Sequence, residues 1–212
     1  MLQQLLWGFD WFQAMRTWAR AARAPTQIQR WKAEGRKGAP PHAIKQQVLK
    51  DYAARHNLNI LVESGTYHGD MIAALKDGFD KLYSIELSTA LYNKAKWRFR
   101  NDLNVHLING DSGEELEKLV PQLEGPALFW LDGHYSAGPT AHGTLSTPIY
   151  NELKHILSAS EKRHVMVIDD ARHFGTEKDY PSIEDITAFV KSIRPDLAVY
   201  VDSDSIQIYP RN

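Results

Sequence analysis

Carboxylates recur in this chain directly after short apolar runs. Ile60–Val62 leads into Glu63-Ser64-Gly65-Thr66-Tyr67-His68-Gly69-Asp70, Leu82–Ile85 into Glu86, and Val105–Ile108 into Asn109-Gly110-Asp111-Ser112. Leu128–Leu131 leads into Asp132-Gly133-His134-Tyr135, and Val165–Ile168 into Asp169-Asp170-Ala171-Arg172-His173. If the runs are strands of a parallel sheet, the acids line the carboxyl edge, where open α/β sheets bind ligands. One such acid is an ordinary turn residue. Five along one edge mark a site.

Two kinds of chemistry are written along that edge. Gly65 and Gly69 let backbone approach a ligand closely, and Glu86, 23 residues after Glu63, is placed to accept hydrogen bonds from ribose hydroxyls. The pairing suits an adenosine-containing cofactor. The loop lacks G-x-G-x-x-G, and no Lys-Ser/Thr follows the second glycine, so neither a nicotinamide dinucleotide nor a nucleotide triphosphate is expected. Asp132, Asp169 and Asp170, with no cysteine in the chain and few lysines nearby in sequence, make a hard-oxygen set suited to Mg²⁺, Mn²⁺ or Ca²⁺. The same acids also read as helix caps or turn formers. Arg172 and His173 are placed to hold an anionic or sugar-like acceptor, and Arg172 equally to orient Asp169 or Asp170. Asp202-x-Asp204 matches a metal-binding D-x-D, but its setting between two short strands favours plain turn chemistry.

Elements of helical period lie near 69–77, 89–100, 113–120, 148–159 and 182–193, alternating with the apolar runs. That alternation predicts βαβ units and a doubly wound, mostly parallel sheet with both faces covered. Leu197–Val201 and Ile206–Tyr209 are joined too closely for a helix, so the sheet ends in an antiparallel hairpin. The stretch 133–144, rich in glycine and hydroxyl groups, is long for a strand-to-helix connection and reads as a lid or substrate loop.

The first 41 residues form a separate arm, followed by a body at 42–212 that opens with a helix over about 42–56. Residues 1–57 hold ten Lys/Arg against three Asp/Glu, while the rest carry 15 against 23. An acidic body argues against nucleic acid as a partner. Trp7, Trp11, Met15, Trp18 and Ala22 recur at helical spacing beside Arg16, Arg20 and Arg23, before Gly35, Gly38, Pro40 and Pro41 break the pattern. Such a stripe packs on the body, on a second copy or on a membrane surface. With 43% apolar and 24% charged residues, no run long enough to span a bilayer and a poor signal peptide, the chain reads as cytoplasmic, with peripheral contact at the inner membrane surface as an option.

The residues resemble a known family. Glu63-x-Gly65-x-x-x-Gly69 is similar to the first motif of class I S-adenosylmethionine (SAM)-dependent methyltransferases, with Tyr67 in place of the middle glycine. Glu86 falls at their ribose-binding acid, Gly110-Asp111-Ser112 at their adenine-contacting segment, and the terminal hairpin at their antiparallel seventh strand. The resemblance spans about 42–210 and implies a Rossmann-like seven-stranded sheet. It implies SAM held by Glu63, Gly65, Thr66, Gly69, Glu86, Asp111 and Ser112. Asp132, Asp169 and Asp170 are similar in placement to the metal acids of metal-dependent O-methyltransferases, implying Mg²⁺ or Mn²⁺ and a small-molecule or sugar acceptor. Those of the catechol type carry a lysine base where Tyr135 stands here. His134, titrating near neutrality, is then the base beside Asp132, and Tyr135 an acceptor contact. The rivals are a nicotinamide-dependent oxidoreductase and a membrane-associated scaffold on an inactive methyltransferase fold.

Overall fold

The strands β1 (Ile60–Ser64), β4 (Ala127–Leu131) and β5 (Val165–Ile168) are buried at every residue, as unbroken apolar runs require. A computed structural model describes residues 2–133, 148–178 and 180–211, without the side chains of residues 2–14, 16 and 17. With β2 (Lys81–Glu86), β3 (Val105–Asn109), β6 (Leu197–Asp202) and β7 (Ser205–Pro210), these strands form one seven-stranded sheet of order β3-β2-β1-β4-β5-β7-β6. β1 to β5 pair in parallel, and β7 runs antiparallel to both β5 and β6. The Rossmann-like, mostly parallel sheet with a terminal hairpin is therefore as expected.

Seven α-helices are described: α1 (Leu2–Ala33), α2 (His42–His56), α3 (Asp70–Leu75), α4 (Thr89–Arg98), α5 (Ser112–Leu119), α6 (Ile149–Leu157) and α7 (Ile183–Ile193). Side chains alternate across a strand, so each strand feeds two cores. Val62, Phe129 and Leu131 pack with Leu116 of α5, Leu153 of α6 and Ile186 of α7. Leu61, Leu128 and Trp130 pack on the other face with Leu49 and Tyr52 of α2, Ile72 of α3 and Ala95 of α4. Polar caps bound several helices. Ser182 and Asp185 form a reciprocal capping box on α7, and Asn57 ends α2 in the left-handed region at φ 51°.

The register brings the strand ends level. Ser64 pairs with Ile85 on one side and Leu131 on the other, and Leu131 pairs with Ile168. The residues just beyond, Gly65, Glu86, Asp132 and Asp169, consequently share one edge. Strand order reverses between β1 and β4, where such sheets open a crevice.

The arm is one long helix that runs through Pro25 and packs on α2. Gly35 and Gly38, at φ 74° and 68°, turn the chain back toward the body. Trp31 is buried and donates its indole N–H to the Gly38 carbonyl at 3.4 Å, and the Arg20 guanidinium pairs with Asp70 of α3. Trp18 stands 73% exposed, with Met15 also exposed, while the side chains of Trp7 and Trp11 lie outside the described residues. The four tryptophans thus do not share one role. Among the described residues, no helix is long and apolar enough to cross a membrane.

Candidate active site

One wall of the crevice is the loop leaving β1. Gly65, Tyr67 and Gly69 all adopt left-handed backbone, at φ 86°, 50° and 71°. The Gly65 N–H donates to the Ile85 carbonyl at 2.9 Å, which ties the loop to the end of β2. The glycines prove necessary for the protein's own packing, a reason different from room for a ligand. A Cβ on Gly65 would lie 2.6 Å from the Asp132 carbonyl oxygen, and one on Gly69 2.6 Å from the Phe99 ring. Tyr67 fills the place of the expected middle glycine, its side chain outward and its ring centroid 4.0 Å from that of His68.

Glu86 closes this wall. Its carboxylate accepts the Tyr67 N–H at 2.7 Å and the Ser88 N–H at 2.9 Å, one on each oxygen. A carboxylate has about four lone-pair sites, so each oxygen keeps capacity for a further donor. Glu63 is buried beneath the loop and accepts from the Ser84 hydroxyl, which also bonds Thr66 Oγ1. Burial pushes its carboxyl well above the usual carboxylate range, against the pull of the Ser84 hydrogen bond. Glu63 and Thr66 therefore brace the loop from within. Asp111 accepts the Gly113 N–H at 2.8 Å and caps α5, where Ser112 is the first helical residue. The Gly110 N–H bonds the Glu86 carbonyl at 3.1 Å, holding the Asp111 turn beside Glu86.

The other wall is acidic. Carboxylate oxygens of Asp132, Asp169 and Asp170 all lie within 4.8 Å of one another. The strand ends position them: the Asp132 N–H donates to the Ser64 carbonyl at 3.1 Å, and the Asp169 N–H to the Leu131 carbonyl at 3.0 Å. Asp170 turns left-handed, at φ 54°, which brings the second acid beside the first. Asp169 is 2% exposed, and burial, then the nearby Asp132 charge, pushes its carboxyl up to about 7.

Long-range packing brings one lysine to these acids that lies far from them in sequence. Lys45, on α2, places its ammonium against Asp169 Oδ2 and 3.2 Å from Asp170 Oδ1. Burial works to lower its pKa, yet the summed pull of Asp169, Asp170 and Asp132 raises it. Lys45 does carry a sequence signal. It lies four and seven residues before Leu49 and Tyr52, on the helix face that enters the core.

Arg172 makes the contacts expected of an orienting residue. Its guanidinium bonds Asp170 Oδ1 at 2.7 Å and also Asp204, whose carboxylate accepts the Arg172 N–H at 2.9 Å. Asp204 thus earns its place as a hairpin anchor. His173 pairs with Glu177 one turn on. His134, Tyr135 and most of the 133–144 loop lie outside the described residues.

No protein-family model and no curated protein matches the chain. Solved structures do. TomG, an O-methyltransferase of Streptomyces achromogenes involved in tomaymycin synthesis and solved with SAM, superposes at TM-score 0.59 with 17% identity, covering 89% of each chain. An O-methyltransferase from Bacillus cereus solved with S-adenosylhomocysteine gives 0.60 and 15%, over 90% of this chain and 91% of that one. The Podospora anserina methyltransferase PaMTH1, also bound to S-adenosylhomocysteine, gives 0.56 and 16%, over 92% and 88%. The chain shares the fold of these methyltransferases.

Proposed function

We propose that the protein is a SAM-dependent methyltransferase acting on an oxygen of a small-molecule or sugar acceptor, with a divalent ion at Asp132, Asp169 and Asp170. The observation that carries the reading is the pairing of walls across the β1–β4 crevice. Glu86 and the Gly65–Gly69 loop stand on one side, and three converging carboxylates on the other. The spare lone pairs of Glu86 suit two ribose hydroxyls, and the Asp111 turn beside it suits the base. SAM bound there supplies an electrophilic methyl on a sulfonium. That methyl would be available to an acceptor oxygen, with Glu86, the Gly65–Gly69 loop and Asp111 holding the cofactor and His134, on the sequence reading, taking the acceptor proton.

The all-oxygen donor set fits Mg²⁺ or Mn²⁺, and such an ion supplies the Lewis acidity that lowers a hydroxyl pKa. Around it, Arg172 and Asp204 fix Asp170, and the end of β4 fixes Asp132. Calorimetry tests the core of the reading. S-adenosylhomocysteine should bind and NAD should not, and absence of S-adenosylhomocysteine binding at millimolar ligand sinks the methyltransferase assignment. The exposed Met15 and Trp18 support a further role for the arm against a second copy or a membrane surface.

A further inference from the structure

We propose that Lys45 is the resident counter-cation of the acid cluster, so that divalent-ion loading and release of the Lys45 ammonium are a single exchange. The proposal rests on reading the cluster as a metal site and adds what governs its occupancy.

The geometry is specific. The Lys45 side chain is 15% exposed, beside an Asp169 side chain 2% exposed and an Asp170 side chain 20% exposed. It descends from the core-facing side of α2, with Nζ 6.0 Å from the centroid of the Trp130 ring. Three carboxylates whose oxygens lie within 4.8 Å repel one another, and the ammonium offsets that repulsion where water is scarce. Mg²⁺ and Mn²⁺ need carboxylate oxygens at roughly 2.0–2.2 Å, as octahedral oxygen-bound ions do. An ion using Asp169 Oδ2 would stand against the ammonium that already touches that oxygen, and the repulsion between a dication and an ammonium at that range favours exchange over shared occupancy. Lysine suits the task, being a point charge on a flexible four-carbon stem that can withdraw. Asp170 has a second anchor besides Lys45, because Arg172 bonds the same Oδ1 and is itself held by Asp204. Asp170 therefore keeps an anchor when the ammonium leaves. Exchange also selects by charge, since a monovalent ion gains no advantage over the ammonium it must displace.

The test uses full-length protein stripped with chelator, titrated with Mn²⁺ by calorimetry. Lys45→Gln should bind Mn²⁺ at least tenfold tighter than wild type, whereas Lys45→Arg, which keeps the cation, should bind no tighter. A second measurement needs no change to the site: in wild type labelled with ¹³C at lysine Cε, saturating Mg²⁺ should move the Lys45 signal to the position of a solvated lysine. Equal or weaker Mn²⁺ affinity in Lys45→Gln overturns the exchange while leaving the metal site standing. If Lys45→Gln does not fold, an unmoved Lys45 signal at Mg²⁺ saturation overturns it in the same way. No Mn²⁺ binding by wild type or Lys45→Gln removes the metal reading and the exchange together, a result distinct from the other two.

Discussion

Gly65 lies with its bare Cα against the backbone of Asp132, so close that an added Cβ would stand 2.6 Å from the Asp132 carbonyl oxygen. The loop after β1 and the end of β4 are therefore packed on each other and cannot be altered separately at this point. Gly65→Ala should cost about 2–4 kcal/mol, combining a left-handed residue with overpacking against rigid backbone. It should weaken S-adenosylhomocysteine binding as well. Urea unfolding and calorimetry check both, with Gly78→Ala, where the added Cβ meets nothing within 4 Å, as the near-neutral control.

Glu86 should carry much of the cofactor affinity. Glu86→Ala removes a charged acceptor from two backbone N–H groups and, on the proposed reading, from ribose, and should cost about 1.5–3 kcal/mol in S-adenosylhomocysteine binding. Calorimetry at fixed salt is the measurement; unchanged affinity would move the ribose site elsewhere.

Divalent ions should stabilise the folded protein, because the assembled acids exist only there. Mn²⁺ should raise the melting temperature of wild type, and Asp132→Asn or Asp169→Asn should shrink the increase. S-adenosylhomocysteine affinity should change less in both variants. A thermal-shift titration with and without chelator decides it.

His164 sets an acid limit on stability. It is 3% exposed, its Nδ1 accepts the Ala127 N–H at 3.1 Å, and burial pushes its pKa down to about 4. A histidine lowered from about 6.5 contributes stability above that value and loses it as pH falls toward 4. The loss should approach about 3 kcal/mol, from roughly 1.4 kcal/mol per pH unit. Asp169, raised in the folded state, slopes the other way as pH falls through about 7, so the difference between proteins is the informative quantity. His164→Asn, which keeps an acceptor but does not titrate, should flatten the acid limb of wild type in urea unfolding at pH 4.5 against pH 7.

Truncation should divide the arm in two. Removing residues 1–18 takes away exposed Met15 and Trp18 but leaves Arg20 on Asp70 and Trp31 in its pocket, so the melting temperature should hold. Self-association or liposome binding should fall. Removing residues 1–40 should also lower the melting temperature. If the shorter truncation changes neither association assay, the exposed face has no partner.

The body was largely legible because its signals are local. Apolar runs, glycines and strand-terminal acids each lie within a few residues of the element they define, and the Asp202–Ser205 link left no room for a helix. For the candidate site, placement was legible only where one strand end supplies the group, as at Glu86 and Asp132. Lys45 reaches an acid 124 positions away, a pairing that depends on how α2 lies across the sheet. Its one local trace was a cation on an apolar stripe. Arg172 stayed ambiguous until Asp204 arrived from the hairpin to fix it. The glycine loop has a second reason that spacing along the chain did not show: a Cβ on Gly65 or Gly69 would meet Asp132 or Phe99.

β7 follows β6 along the chain yet lies between β6 and β5 in the sheet. A chain emerging from its N-terminus therefore completes β1 to β5 while the outer edge of β5 still has unpaired backbone groups, and only β7 can cover them. Asp169 and Asp170 sit at the end of that strand, and Asp204 arrives with β7. The acidic wall is thus among the last parts of the molecule to be assembled during synthesis. Until then the open strand edge is the place where a nascent chain is most vulnerable to pairing with a neighbour.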